Sequence, residues 1–263
     1  MHTRIFTGHD LAASILDTLN PRPGDGLCVL ADATAAGAVA YADRILTLAQ
    51  RIGLPVEITD YPKSAQAEAT LIAAHDRPIL PLLPTPAGFD MRRFLDKLGP
   101  RRDVEGLHPE SAGRLALGRP DVTPPTAEAA TLVAAHLAGS LQGAVVSVIG
   151  ASASVGRPLA LSLLAQGATV RVAQETVKDL PAETRDADIV CAAAGVPGLV
   201  KRDHLRKGAI AIDIGVTRVG DRLIGDIDPD AARGHVAWLT AVPDGVGPVT
   251  AACLLRNVLR LGR

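Results

Sequence analysis

A chain of 263 residues carrying 27 basic and 28 acidic side chains is close to electroneutral and long enough for one or two buried cores. It has no basic tract, so nucleic-acid and anionic-membrane binding are not expected. Apolar residues make up 48% of the chain and aromatics only 2%, so the core must be built from Ala, Val and Leu, as in helices packed on buried parallel strands. Cys28, Cys191 and Cys253 lie far apart in apolar runs. Inert buried thiols in a reducing compartment are expected, and no spacing suits a zinc site. The opening MHTRIFTGHD lacks the apolar core of a secretory signal, and no run is long enough to span a bilayer. The expectation is a soluble, cytoplasmic protein without a metal.

In chain order, Leu11 to Leu19 is patterned as a helix with Asp10 as its cap. Pro21 to Asp25 is a turn, and Gly26 to Ala31 reads as a buried strand. Ala33 to Ile52 is a long Ala-rich helix stopped by Gly53-Leu54-Pro55. Val56 to Thr59 alternates as a strand does. A helix over Ser64 to Ala74 follows, then a strand from Pro78 to Leu83 that runs into Pro84-Thr85-Pro86, then a helix over Asp90 to Leu98. This alternation predicts a parallel sheet. Gly99 to Pro125 is irregular, and such stretches tend to lie between domains and carry function.

Thr126 to Ala138 is again helical, and the alternation resumes. Strands are predicted at Val145–Ile149, Thr169–Ala173, Asp188–Ala193, Ala209–Ile214 and Val236–Leu239. A Pro/Gly-rich loop, Pro243 to Pro248, precedes a closing helix over Val249 to Leu261. Several strands end in small residues, at Ala194-Gly195 and at Gly215. In an open α/β sheet that carboxyl edge is where ligands bind.

The stretch VVSVIGASASVGRP, residues 145–158, organises this second half. An apolar strand stops at Gly150, a small-residue loop follows, and Gly156-Arg157-Pro158 opens a helix. That is the arrangement that holds a pyrophosphate, with backbone N–H groups and the positive helix end facing the anion. The spacing is G-x-S-x-x-x-G instead of G-x-G-x-x-G, so alone it equally fits an ordinary strand–turn–helix corner. The strand ends around it favour the nucleotide reading.

Six segments in order carry a family resemblance: DVEGLHP at 103–109, GRLALG at 113–118, VIGASASVGRP at 148–158, AIDIGV at 211–216, GDID at 225–228 and VPDGVGPVT at 242–250. Over essentially its whole length the chain resembles the bifunctional methylenetetrahydrofolate dehydrogenase/cyclohydrolase family. Tyr41 with Gly53 also keeps the family's helix spacing. The resemblance implies two α/β domains with a cleft between them, the second a Rossmann-like doubly wound parallel sheet. Expected boundaries are 1–125 for the folate-type substrate domain, 126–248 for the nucleotide domain, and 249–263 for a helix returning to the first. It also implies a homodimer formed through the nucleotide domain.

On that resemblance, Gly150, Ala151, Ser152, Ser154, Val155, Gly156 and Arg157 hold the cofactor, with Glu175, Ala194, Gly195, Gly215, Val216 and Thr250. The substrate wall is Tyr41, Ile45, Leu82 and Glu105, with Pro243, Asp244, Gly245, Gly247 and Pro248 from the last loop. Tyr41 and Glu105 are the catalytic candidates, and His108 is expected to be structural. Arg157 is expected near the pyrophosphate or in packing.

The departures bear on activity. The family's cyclohydrolase lysine falls at Ile45, its accompanying glutamine at Leu82, and its pterin-binding aspartate at Glu105. Moving a hydride from the methylene bridge needs alignment and tolerance of the methenyl cation formed. Hydrolysing the methenyl group needs an activated water and proton movement, which Ile45 and Leu82 do not supply. A carboxylate at 105 is suited to accept two hydrogen bonds from an aminopyrimidine edge. The extra methylene either shifts the ring or admits a different heterocycle.

Many family members bind NADP with an arginine and a serine that fall here at Ala151 and Glu175. An acid after the second strand typically takes the ribose hydroxyls of NAD. Glu175 follows Gly156 by nineteen positions, close to the roughly 20 expected. Where the family usually has glycine, Asp244 adds a charge, either for a basic substrate group or to balance a cation. The expected function is an NAD-dependent methylenetetrahydrofolate dehydrogenase without cyclohydrolase activity. The alternatives are an oxidoreductase on another C–N or C=N substrate and a folate- or nucleotide-binding pseudoenzyme.

Overall fold

A computed structural model describes residues 2–262. Met1 and Arg263, the outer ends of the expected 1–125 and 249–263 segments, lie outside the described residues. The first half runs β1 (Arg4–Phe6), α1 (His9–Leu16), β2 (Leu27–Leu30), α2 (Ala36–Ile52), β3 (Val56–Thr59), α3 (Ala65–Ala74), β4 (Ile79–Pro81), α4 (Met91–Leu98) and α5 (Pro109–Ala116). The second runs α6 (Pro125–Ala138), β5 (Val145–Ile149), α7 (Gly156–Ala165), β6 (Thr169–Ala173), α8 (Leu180–Thr184), β7 (Ile189–Ala192), β8 (Ile210–Asp213), β9 (Val216–Val219), β10 (Arg222–Gly225), α9 (Pro229–Ala232), β11 (Trp238–Thr240) and α10 (Val246–Leu261). Single 3-10 turns sit at Pro100–Arg102 and Arg202–His204.

The chain divides into two compact units, and neither is one stretch of sequence. Among the described residues, one comprises 14–125 and 251–262, the other 2–13 and 126–250. Residues 2–13 therefore sit outside the unit to which the 1–125 boundary assigned them. The physical reason is β1, whose Arg4 to Phe6 pair in parallel with Trp238 to Thr240 of β11. Thr3 strengthens this junction, its hydroxyl donating to Val236 O at 2.7 Å.

The 14–125 unit holds a parallel sheet in the order β3-β2-β4. β2 is buried along its whole length, which is why Leu27 to Leu30 read as an unbroken apolar run. Cys28, Leu30, Ile79, Tyr61, Phe94, Leu95 and Leu98 form its core. α2 stops at Gly53, whose φ of 74° is left-handed and whose N–H caps Ala49 O and Gln50 O.

The other unit holds a six-stranded sheet, all parallel, in the order β1-β11-β8-β7-β5-β6. From β6 to β11 this is the doubly wound order 2-1-3-4-5, extended by β1. Its core includes Ile149, Val190, Val200, Ala211, Ile227, Val236 and Leu239. β9 and β10 form a separate antiparallel hairpin with Val216, Val219 and Leu223 exposed. All three cysteines are free and buried. Burial pushes the Cys28 thiol up to about 11 and that of Cys191 to about 12, so both stay protonated at neutral pH. Among the described residues no helix is long and apolar enough to cross a membrane, and no group of three potential metal ligands assembles.

Candidate active site

In a doubly wound sheet the crevice opens where strand order reverses, here outside the carboxyl ends of β5 and β7. Gly150 follows β5 with φ of 100°. A Cβ on it would lie 2.2 Å from Ala193 O, just past β7. A Cβ on Gly156 would lie 2.0 Å from Gly150 O. Any side chain at either position collides with backbone, which explains both glycines of G-x-S-x-x-x-G. Between them Ser152 Oγ accepts the N–H of Val155 at 3.1 Å and of Gly156 at 3.4 Å. The serine thus takes up the amides of Val155, which precedes α7, and of Gly156, its first residue. Arg157 is exposed at this helix end, so the packing role does not apply to it.

Glu175 lies two residues beyond β6, exposed, on the same carboxyl edge. Ile149 and Ala173 are paired, and Gly150 N–H donates to Ala173 O at 2.8 Å. The loop and the turn carrying Glu175 are therefore anchored to each other, while Ala151 offers no charge. After β7, Ala194 and Gly195 are exposed, and both their N–H groups donate inward to Asp226 Oδ2. Gly215 N–H donates to Ala192 O at 3.1 Å, and Val216 is exposed at the start of β9.

Gly245 is buried, and a Cβ there would sit 2.5 Å from Ala241 O and 2.7 Å from Thr240 Cβ. Its missing side chain is accounted for by its own chain. Gly247 does have open space. Asp244 accepts the Gly8 N–H at 2.8 Å through its carbonyl. Its carboxylate lies 3.8 Å from His9 Nε2, both side chains about half exposed, a weak pair by position. Pro243 is exposed and Pro248 buried. The Thr250 hydroxyl donates to Val246 O at 3.2 Å within α10.

In the 14–125 unit, Tyr41 and Ile45 are one turn apart on α2 and so share a helix face. Ile45 is 0% exposed and Leu82 4%. Leu82 N–H donates to Leu30 O at 2.9 Å, and its carbonyl accepts the Tyr61 hydroxyl. Glu105 is half-buried instead of a solvated loop acid. Burial, reinforced by the charge of Asp103, pushes its carboxyl up to about 7. Burial also raises Tyr41, with the charge of Glu105 adding to the effect. Tyr41 and Glu105 are therefore electrostatic neighbours.

Three buried polar residues shape these sites, and the sequence reading did not single them out. Asp103, 1% exposed, accepts the N–H of Glu105 at 3.1 Å and of His108 at 2.6 Å, closing the loop that carries Glu105. His108 caps α5, its Nδ1 accepting the Glu110 N–H at 3.1 Å, so it is structural as expected. Asn257, fully buried on α10, donates from Nδ2 to Val104 O at 3.0 Å and Thr123 O at 2.8 Å. Asp213, at the end of β8, is pushed up to about 7 by burial; the amides it accepts oppose this, and the charge of Asp226 adds to it. One local signal was available: a polar residue interrupting an apolar helix or strand. A separate cavity of about 600 Å³ opens at the carboxyl ends of β2, β3 and β4, beside Thr34, Tyr61, Lys63 and Phe89. None of Tyr41, Ile45, Leu82 or Glu105 lines it.

The doubly wound sheet and its glycine-framed loop define a dinucleotide-binding α/β protein. Residues 124–263 match the family described as "Tetrahydrofolate dehydrogenase/cyclohydrolase, NAD(P)-binding domain". A Bifunctional protein FolD 1 from Rhodococcus jostii is 37% identical over 98% of this chain and 89% of its own length. A Bifunctional protein FolD from Roseiflexus castenholzii is 44% identical over 70% of this chain and 65% of its own length. The crystal structure of a methylenetetrahydrofolate dehydrogenase-cyclohydrolase from Trypanosoma brucei, complexed with NADP cofactor and inhibitor, superposes with a TM-score of 0.90 at 28% identity, covering 100% of this chain and 98% of that one. The chain belongs to the methylenetetrahydrofolate dehydrogenase/cyclohydrolase family.

Proposed function

We propose that the protein is an NAD-dependent methylenetetrahydrofolate dehydrogenase that has lost cyclohydrolase activity. Family membership supports an oxidoreductase acting on a CH–NH type bond of a folate. The observation that carries the finer reading is that Ile45 and Leu82 are buried and apolar, so the positions of the family's lysine and glutamine hold nothing that moves a proton. Homodimerisation rests on the family resemblance and a cytoplasmic setting on the three free, buried cysteines; both are part of the same proposal.

The residues present fit a nicotinamide dinucleotide, because two glycines clear a backbone cradle at the amino end of α7. When bound, NAD supplies the acceptor for the hydride that leaves the methylene bridge, and the folate is left as its methenyl cation. The loop between Gly150 and Gly156 would hold the pyrophosphate through the backbone N–H groups of residues 151–154, since those of Gly150, Val155 and Gly156 already have acceptors. Glu175 accepts from the adenine-ribose hydroxyls and repels an added 2′-phosphate. Ionised Glu105 accepts two hydrogen bonds from the aminopyrimidine edge of the pterin and leaves a negative charge near the developing cation. Tyr41 keeps its proton at neutral pH and orients the substrate as a neutral phenol.

The test is to mix the purified protein with methylenetetrahydrofolate and either NAD or NADP, following reduced nicotinamide and methenyl product. NAD-linked reduction with accumulating methenyltetrahydrofolate is expected. Preference for NADP sinks the cofactor assignment. Enzymatic disappearance of added methenyltetrahydrofolate sinks the loss of cyclohydrolase. Dinucleotide binding without turnover redirects the search to another C–N substrate.

A further inference from the structure

Two acids and two glycines in the nucleotide-binding unit form a reciprocal lock. Asp213 ends β8, and Asp226 follows β10. Both are buried, Asp226 completely. Asp213 accepts the N–H of Asp226 at 2.9 Å on Oδ1 and that of Ile227 at 3.0 Å on Oδ2. Asp213 N–H in turn donates to Thr240 Oγ1 at 2.7 Å. A Cβ on Gly225 would lie 1.9 Å from Asp213 Oδ2, and one on Gly215 would lie 2.2 Å from the carboxylate of Asp226. Each glycine makes room for the other segment's acid, which explains why AIDIG and GDID occur together.

The output of the lock is a loop. Asp226 Oδ2 accepts Ala194 N–H at 2.6 Å and Gly195 N–H at 2.9 Å. Asp226 Oδ1 is buried and has no hydrogen-bond partner. An exposed loop thus turns both N–H groups inward onto a buried acid. Because the peptides are trans and planar, the carbonyls of Ala193 and Ala194 point away from that acid. The position of Ala193 O, 2.2 Å from where a Gly150 Cβ would be, agrees with this direction. The Ala193 carbonyl therefore faces the pyrophosphate-loop side, and that of Ala194 points away from Asp226.

We propose that Asp226 is the positioning residue for this loop, fixing the carbonyls of Ala193 and Ala194 as a hydrogen-bond acceptor edge for the hydroxyl or carboxamide donors of the bound dinucleotide. The proposal rests on the reading that the loop faces the cofactor. Asp226 does not touch the ligand. It sets which way two peptide units face, and Asp213 with the two glycines holds it there.

The test uses the full chain and steady-state kinetics with NAD and with NADP. Asp226→Ala removes both acceptor bonds and is expected to raise the dinucleotide KM by about tenfold or more, with kcat and the folate KM within about threefold. Asp226→Asn keeps one oxygen for both amides and replaces the unpartnered oxygen with nitrogen, so it is expected to restore the dinucleotide KM to within about threefold of wild type. An unchanged dinucleotide KM in Asp226→Ala, or equal damage in both variants, overturns the proposal. So does a parallel rise in both substrates' KM.

If Asp226→Ala does not fold, the wild-type protein decides by amide NMR. Slow exchange of the exposed Ala194 and Gly195 amides is expected, and exchange at open-loop rates overturns the inward bonds. Adding NAD or NADP is expected to shift both resonances. If the Gly156 amide shifts and theirs do not, the loop's place at the cofactor fails, and that failure is distinct from failure of the Asp226 claim.

Discussion

The loop after Ile149 and the loop from Asp103 to His108 solve the same problem with opposite chemistry. Both are tight turns at the edge of a parallel sheet whose backbone N–H groups need acceptors. The first uses a neutral serine hydroxyl and two glycines. The only charge it leaves at the end of α7 is the exposed Arg157, so an anion would meet amides, a helix dipole and a cation. The second uses a buried carboxylate, Asp103, and carries another, Glu105, beside it. A backbone cradle flanked by a cation and free of acids suits a pyrophosphate. A cradle built on acids suits a ligand rich in donors, or one that becomes cationic.

The strongest test of this contrast removes the acid that builds the second loop. Asp103→Ala leaves the amides of Glu105 and His108 without their charged acceptor and is expected to cost roughly 3–5 kcal/mol in a denaturation midpoint. A loss below about 1 kcal/mol, near the ordinary cost of a lost neutral cap, breaks the comparison. Next comes the charge the first loop lacks. Ala151→Arg with Glu175→Ser adds a phosphate partner and removes a repulsive acid. It is expected to move the NADP/NAD ratio of kcat/KM by about a hundredfold toward NADP.

Glu105 gives a pH-dependent test. Its folded pKa, about 7, lies above the ordinary value of 4.5. Below the ordinary value both folded and unfolded states are protonated. Between the two the folded state keeps a proton that the unfolded state has lost, so stability falls as pH rises, and the fall flattens above about 7. Thermal unfolding of Glu105→Gln, which mimics the protonated form, is expected to show a shallower slope, keeping the part that Asp213, also raised to about 7, contributes. The folate KM of the wild type is expected to fall as pH rises through 7, because only the carboxylate accepts both pterin donors. The smallest effect belongs to the first loop: Ser152→Ala is expected to cost about 1 kcal/mol, the usual net value of a neutral hydrogen bond to backbone.

The central strands were legible because parallel strands covered on both faces leave apolar runs bounded by small residues. Val145–Ile149 and Thr169–Ala173 fell where expected. β1 was not legible: Arg4-Ile5-Phe6 is three residues long and becomes a strand only by pairing with a segment more than two hundred residues away. The β9–β10 hairpin was missed because its residues alternate without a buried face strong enough to register. At the sites, Gly150 and Gly156 were readable from spacing, since steric need leaves a fixed pattern. Asp103, Asp226 and Asn257 were not, because each works from the interior on backbone groups of other segments. No local rule names the partner of a buried acceptor. Gly245 shows the converse, since a glycine inside a recognised motif was required by its own neighbours Thr240 and Ala241.

The interleaved division of the chain also sets an order of events during translation. β1 emerges from the ribosome first and must wait for Trp238 before it has a partner strand. Val104 and Thr123 are synthesised 153 and 134 residues ahead of Asn257, whose amide bridges them. Each unit therefore receives a finishing piece late, and a nascent chain stalled at residue 240 would expose the 104–123 segment without its bridge. Ribosome-stalled nascent chains probed by proteolysis should show that segment cleaved until α10 clears the exit tunnel.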